Sequence, residues 1–136
     1  MKKKLTIFLL ILSLVMFLSV LYINSKIVLK KEEIIATLMV GDKAGFDTNN
    51  TALTFGMITS GSSSSRNLII ENTYNFPIKC EFSVEGDIRR FLVFDEVVYL
   101  DIGEEKTVSI GTITATNESY GNYSGKMIVA TKRNVW

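Results

Sequence analysis

The 136-residue sequence predicts an all-β protein, a two-sheet sandwich of seven to eight strands preceded by one N-terminal transmembrane helix. Two observations carry this. Residues 5–23 hold no charge over 19 positions, a length that matches the bilayer core. Beyond residue 33, apolar side chains recur at alternate positions in short runs bounded by Gly, Asn, Asp and Ser, and no window has the helical period. The chain divides into a basic cytoplasmic flank (1–4), a transmembrane signal anchor (5–23), a juxtamembrane linker (24–33) and the sandwich domain (34–136).

In the helix, 14 of the 19 residues are Leu, Ile, Phe or Val. At 1.5 Å per residue the segment spans roughly 28 Å. Each of those side chains favours insertion, for a sum of roughly −4 to −8 kcal/mol before Thr6, Ser13 and Ser19 subtract a little. A cleaved signal peptide is the alternative reading. Its apolar region normally runs a shorter distance and ends at a small-residue site, for which Ile23-Asn24-Ser25 is a mediocre candidate. A pilin-type leader fits less well, because Lys4-Leu5-Thr6 supplies neither the small residue nor the acid such leaders place there. Lys2, Lys3 and Lys4 precede the run and no acid occurs before Glu32. The positive-inside rule then sets the N-terminus in the cytoplasm and the C-terminal domain outside the membrane.

The strands are read in order. Residues 34–40 form the first, followed by a turn over 41–45 and a polar loop over 47–51. In residues 52–58, alternation puts Leu53, Phe55 and Met57 on one face. Ser60-Gly61 and the serines through Ser65 read as a turn, and Leu68, Ile69 and Ile70 as the apolar part of the next strand. Pro77 breaks the chain after Phe76, since it is tolerated at the start of a strand but not inside one. Residues 78–84 give the clearest half-buried strand: Ile78, Cys80, Phe82 and Val84 alternate with Lys79, Glu81 and Ser83. Residues 88–94 read as an irregular segment crossing between sheets, and 97–100 as a short strand. Residues 107–114 alternate again, with Val108, Ile110 and Thr112 facing one way. Residues 123–131 close the domain with Tyr123, Met127 and Val129 as core candidates. Strands with one apolar face each can bury those faces by packing two sheets together.

Several of these residues carry a resemblance. Leu53-Thr54-Phe55-Gly56, Gly61, Arg66-Asn67-Leu68, Ile70-Glu71-Asn72 and Phe76-Pro77 resemble the opening of immunoglobulin-like domains of the hydin and major-sperm-protein kind. Tyr99-Leu100 through Ile102-Gly103-Glu104 and Val108 resemble their later signature, and Tyr123-Ser124-Gly125-Lys126-Met127 their last strand. The resemblance spans residues 52–130 and implies an immunoglobulin-like sandwich without naming a ligand. Similar domains behind one helix occur on prokaryotic, especially archaeal, cell surfaces, some resembling archaellum stator components. The antibody type is disfavoured, since paired cysteines are absent and Trp136 is terminal. In physical terms, Gly56 and Gly61 suit turns or close backbone approach, and Asn72 suits a side-chain turn cap.

Composition narrows function. There is no His, the commonest general base and zinc ligand. Cys80, the single cysteine, has no partner for an internal disulfide and reads as a small buried residue. From residue 24 onward 12 Lys and Arg face 14 Asp and Glu, a balance unsuited to nucleic acid. No catalytic set, metal site or cofactor is expected. Acidic loop groups, such as Asp101 with Glu104 and Glu105, lack the dense spacing of a calcium loop. Asn49, Asn117 and Asn122 head Asn-x-Ser/Thr triplets in predicted loops and are candidate glycosylation sites. Arg89 and Arg90 are candidate partner contacts, against a solvated turn. The expected partners are the lipid bilayer, through residues 5–23, and an envelope or cell-surface protein. The expectation is a tethered binding or structural module, with a subunit of a surface assembly or a secreted domain as alternatives.

Overall fold

The computed structural model describes residues 2–43 and 52–135. Helix α1 occupies Lys2–Lys26. It is followed among the described residues by β1 Val28–Gly41, β2 Leu53–Thr59, β3 Ser63–Glu71, β4 Ile78–Gly86, β5 Leu92–Val93, β6 Val97–Leu100, β7 Glu105–Ile113 and β8 Gly121–Arg133. They form a five-stranded sheet, ordered β2-β1-β8-β4-β6, and a three-stranded sheet, ordered β3-β7-β5. The expected all-β sandwich behind an N-terminal helix is the architecture found. The expected turn at residues 41–45 is described only through Lys43, and the loop at 47–51 lies outside the described residues.

The core lies between the two sheets. β4 presents Ile78, Cys80, Phe82 and Val84, β8 presents Met127 and Val129, and β7 presents Val108 and Ile110, all buried. These are the positions the alternation selected. Thr112 is fully buried with them, its hydroxyl donating to the Ser64 carbonyl across the β3–β7 ladder (3.2 Å). Tyr123 packs at the edge of this cluster, only partly buried. Cys80 is a free, fully buried strand residue, as its type suggested. Residues 87–93 cross between the sheets as expected. A single 3-10 turn at Asp87–Phe91 buries Ile88 and Phe91, and β5 then joins β7 in the other sheet.

Four boundaries differ from the sequence reading. The linker expected at 24–33 is instead helix and strand: α1 runs through Lys26 and β1 begins at Val28. The Lys30-Lys31-Glu32-Glu33 stretch has no apolar alternation because it is exposed on both faces, yet it pairs along β8 from Lys30↔Thr131 to Glu33↔Ile128. Ser63, Ser64 and Ser65 belong to β3 rather than to a loop, and the turn tightens around Ser60 and Gly61, where φ is +79°. In β2 the register slips between Thr37↔Thr54 and Met39↔Met57, a bulge centred on Gly56 with φ of +70°. Ile58, and not Met57, therefore reaches the core beside Leu53 and Phe55. Finally, Asn122 sits in β8 rather than in a loop.

The end of the sandwich between β3 and β4 is closed by Asn72, which is 1 % exposed. Its amide nitrogen donates to the carbonyls of Phe76 (3.0 Å) and Asp101 (2.8 Å), and its side-chain oxygen accepts from the Tyr74 N–H (3.0 Å). The expected turn cap thus also ties the β3–β4 connection to the β6–β7 turn. Gly86 of β4 faces Gly125 of β8, a pair that leaves no room for a side chain between the strands. A Cβ on Gly125 would meet the Glu85 carbonyl oxygen at 2.1 Å and Ile88 Cγ2 at 2.8 Å.

Candidate functional site

The helix comes first. From Leu5 to Ile23 its large apolar side chains are exposed all round, by 46 % to 66 % apart from the half-buried Leu21. Residues Lys3–Ile23 form one apolar helical span, and only near its C-terminal end does it meet the sandwich, where Leu21 shares a cleft with Phe76, Pro77 and Arg133 among the described residues. The Ser19 hydroxyl donates to the Val15 carbonyl (2.8 Å), hiding its polarity against the backbone. Water is a poor solvent for such a surface; lipid is a good one, and a signal sequence has the same character.

The two sheets turn different chemistry outward. On the five-stranded sheet, Glu33 of β1 is held by Lys126 of β8 (3.1 Å) and Lys31 (3.3 Å). Glu81 of β4 lies between Lys132 of β8 and Lys79, the latter at 3.2 Å. These partners keep both carboxyls below the usual carboxylate range, Glu33 chiefly through Lys126 and Glu81 chiefly through Lys132. Lys30 is shifted up by Glu32 (2.7 Å), and burial pushes the Cys80 thiol up. Each shift strengthens the charge state the group already holds at neutral pH, the reverse of what a general acid or base there requires.

The outward face of the three-stranded sheet carries Ser63, Ser65, Asn67 and Ile69 from β3, all exposed. Opposite them β7 offers Thr107, Ser109, Gly111 and Ile113, and β5 adds Val93. Among the described residues the charges on this face are acidic, the Glu71↔Glu105 pair at one end and Asp95 beside the cavity at Gly111. Around Gly111 the face dips into a shallow trough of about 510 Å³, walled by Ser63, Ser65, Val93, Phe94 and Ile113. Sequence reading missed this face. Serines 63–65 read as a turn, and in 107–114 the inward positions Val108, Ile110 and Thr112 drew the reading, so the outward partners on β3 and β7 were not put together.

Of the proposed contact residues, Arg89 is exposed on the 3-10 turn. Arg90, also exposed, is engaged by its own domain: its guanidinium donates to Glu118 (2.9 Å) and lies over the rings of Phe91 (4.5 Å) and Tyr123 (5.1 Å). It clamps the 115–119 loop rather than offering a free cation. That loop is further held by Ser60 Oγ donating to the Glu118 carbonyl (2.9 Å) and Tyr123 Oη donating to that of Ser119 (2.8 Å). Asn117 stands exposed on it, so its triplet is presented by an ordered turn. Asn122 is exposed at the start of β8, opposite Met39. Asn49 lies outside the described residues. Among the described residues no group of three or more acids or cysteines is placed to hold a metal ion. Glu104 instead accepts from the Asp101 N–H (2.7 Å) and pairs with Lys106 (3.2 Å), a closed turn that holds its pKa down.

The class these features define is a two-sheet β-sandwich carried directly on one apolar helix. No family model matches the chain, and no curated protein matches it. Among solved structures it is similar to a DaaE adhesin at 9 % identity, over 75 % of this chain and 96 % of that one, with a TM-score of 0.39.

Proposed function

We propose that the chain is a membrane-tethered extracytoplasmic module that makes structural or binding contacts with envelope or cell-surface proteins, without catalysis. In this reading α1 stays in the bilayer as an uncleaved anchor, and the sandwich, immunoglobulin-like in type, stands outside. The observation that carries it is the apolar helix, exposed along its length except at Leu21 and joined to β1 through Ile27 alone. Lys2, Lys3 and Lys4 at the helix start favour a cytoplasmic N-terminus. The absence of His and the ion-paired carboxylates support a non-catalytic role. Asn49, Asn117 and Asn122 are then candidate glycan acceptors on an external surface.

The test is accessibility in intact cells carrying a C-terminal epitope on the full-length chain. External protease should remove the epitope, while carbonate extraction leaves the untreated chain in the membrane pellet. A mature form starting near Lys26 and free in the medium would refute the anchor. An epitope protected until the cells are lysed would refute the orientation. Replacing Lys2, Lys3 and Lys4 by Glu should reduce the externally cleavable fraction severalfold.

A further inference from the structure

We infer that the end of the sandwich beside α1 is a lipid-contact surface. On it Arg133, held over the Phe76 ring, takes the phosphate of a phospholipid headgroup, while Phe76, Pro77 and Val135 rest at the edge of the hydrocarbon. This rests on the tethered reading above and adds to it a second membrane contact, made by the head itself.

Depth comes first. Leu21 of α1 walls a cleft of about 320 Å³ together with Phe76, Pro77, Arg133, Asn134 and Val135. Leu21 lies inside the apolar span Lys3–Ile23, two residues short of its end. At the helical rise that is about 3 Å below the last apolar residue. The polar headgroup layer extends roughly 5–7 Å beyond the hydrocarbon on each side. A helix that spans the bilayer therefore carries this cleft into the headgroup layer, with the residues that reach it from β4 and β8. The backbone holds those residues as a unit. Ile78 pairs with Arg133 across the β4–β8 ladder, and the Asn134 N–H donates to the Pro77 carbonyl (2.9 Å).

The chemistry suits that layer. Ile27, Val28 and Leu29, directly after the helix, are between 38 % and 48 % exposed, three consecutive apolar side chains outside the core. Phe76 and Pro77 are only partly buried. Arg133 is exposed, its guanidinium lies 4.5 Å from the centre of the Phe76 ring, and it has no carboxylate partner among the described residues. The lysines around it are committed, Lys79 and Lys132 to Glu81 and Lys30 to Glu32. A guanidinium laid on a ring by one face keeps N–H groups free at its edge, and their fork matches two phosphate oxygens. An aromatic body with a charged tip above it is the pairing that membrane boundaries favour. Asp101, Glu104 and Glu105 share this end of the sandwich, so the contact is not a general attraction of a basic head for an acidic surface. It is local, one cation above an apolar rim, and a zwitterionic phospholipid satisfies it.

The experiment uses the full-length chain reconstituted in phosphatidylcholine vesicles. Cys80 is left in place because it is fully buried. A nitrobenzoxadiazole label is attached at Asn75→Cys, exposed beside Phe76, or at Ala115→Cys, exposed at the opposite end of the sandwich. Phosphatidylcholine carrying a nitroxide on its headgroup should quench the Asn75→Cys label at least threefold more than the Ala115→Cys label. Adding Arg133→Glu should bring the first down to the second, and Arg133→Lys should keep most of the difference, with the circular-dichroism spectrum unchanged in both. Arg133→Gln takes the place of Arg133→Glu, and Thr73→Cys that of Asn75→Cys, should either fail to fold. Equal, weak quenching at both ends of folded, carbonate-resistant protein, or a difference that survives loss of the Arg133 charge, overturns the inference while leaving the anchor intact. Loss of the chain from the vesicles on carbonate extraction removes the anchor, and this inference with it.

Discussion

Asn72 illustrates how one buried polar side chain can organise the end of a sandwich. Because it joins two connections 28 or more residues apart, no apolar residue replaces it. Asn72→Ala strands those carbonyls and the Tyr74 N–H, and should cost about 2–4 kcal/mol, read from the urea midpoint of the chain in detergent. Thr54 is the opposite case. It is 6 % exposed, and its hydroxyl has no hydrogen-bond partner among the described residues. Thr54→Val keeps the shape and removes the unpaired group, so it should raise stability by about 1 kcal/mol in the same assay. Gly125→Ala and Gly86→Ala should both be strongly damaging, since each added methyl group collides with backbone of the facing strand rather than only with a movable side-chain end. These roles differ in how visible they were. Asn72 belongs to a residue type that caps turns, but its reach to Asp101 depends on a fold that no local pattern states. Arg90 reads locally as a cation in a turn, and becomes a clamp only when Glu118 and Tyr123 arrive from distant parts of the chain.

At the scale of elements, legibility follows burial. β4 alternates because one side meets the core and the other meets water, so its sequence reads directly as a strand. The first half of β1 meets water on both sides, so its period is lost and Lys30 to Glu33 look like solvated linker. Ser63–Ser65 look like a loop for a related reason: serine is a turn former by composition, and only pairing with β7 makes it strand. The bulge at Gly56 was legible as a glycine but not as a phase change, because a register slip is a property of two strands. The ion pairs that lace β1, β8 and β4 give the large sheet a pH dependence. Glu33 and Glu81 have folded pKa values below the unfolded carboxylate value of about 4.3. Their contribution is present above that pH and is lost as pH falls through the folded values. Thermal melts should thus hold steady from pH 7 to about 5 and decline below roughly 4, over the range where carboxylates titrate. Glu81→Gln should lower the melt at pH 7 and flatten that decline. The effect should be under about 1 kcal/mol, because the group is partly exposed.

For the whole molecule, the tether and the head form one continuous object. Ile27 alone separates α1 from β1, whose first half pairs with β8 alone among the described residues while its distal half, from Ala36 to Gly41, lies between β2 and β8. Its distal half also supplies Ala36, Leu38 and Val40 to the core, each 2 % exposed or less. Leu38→Ala should cost about 2–4 kcal/mol and shift the urea midpoint to match. Fold class and helix were readable from the sequence because both are statements about solvent preference, and the outward chemistry of the two sheets was not, because it depends on which strands become neighbours. The direct junction has a mechanical consequence. In the tethered reading proposed above, a pull between helix and head enters the domain at the start of β1 and is passed along the strand axis. The ladder to β8 runs perpendicular to that axis over most of the strand, so its hydrogen bonds are loaded in shear, all at once, rather than peeled in succession. The strand that fastens the sandwich to its helix is thereby the one best seated to bear tension.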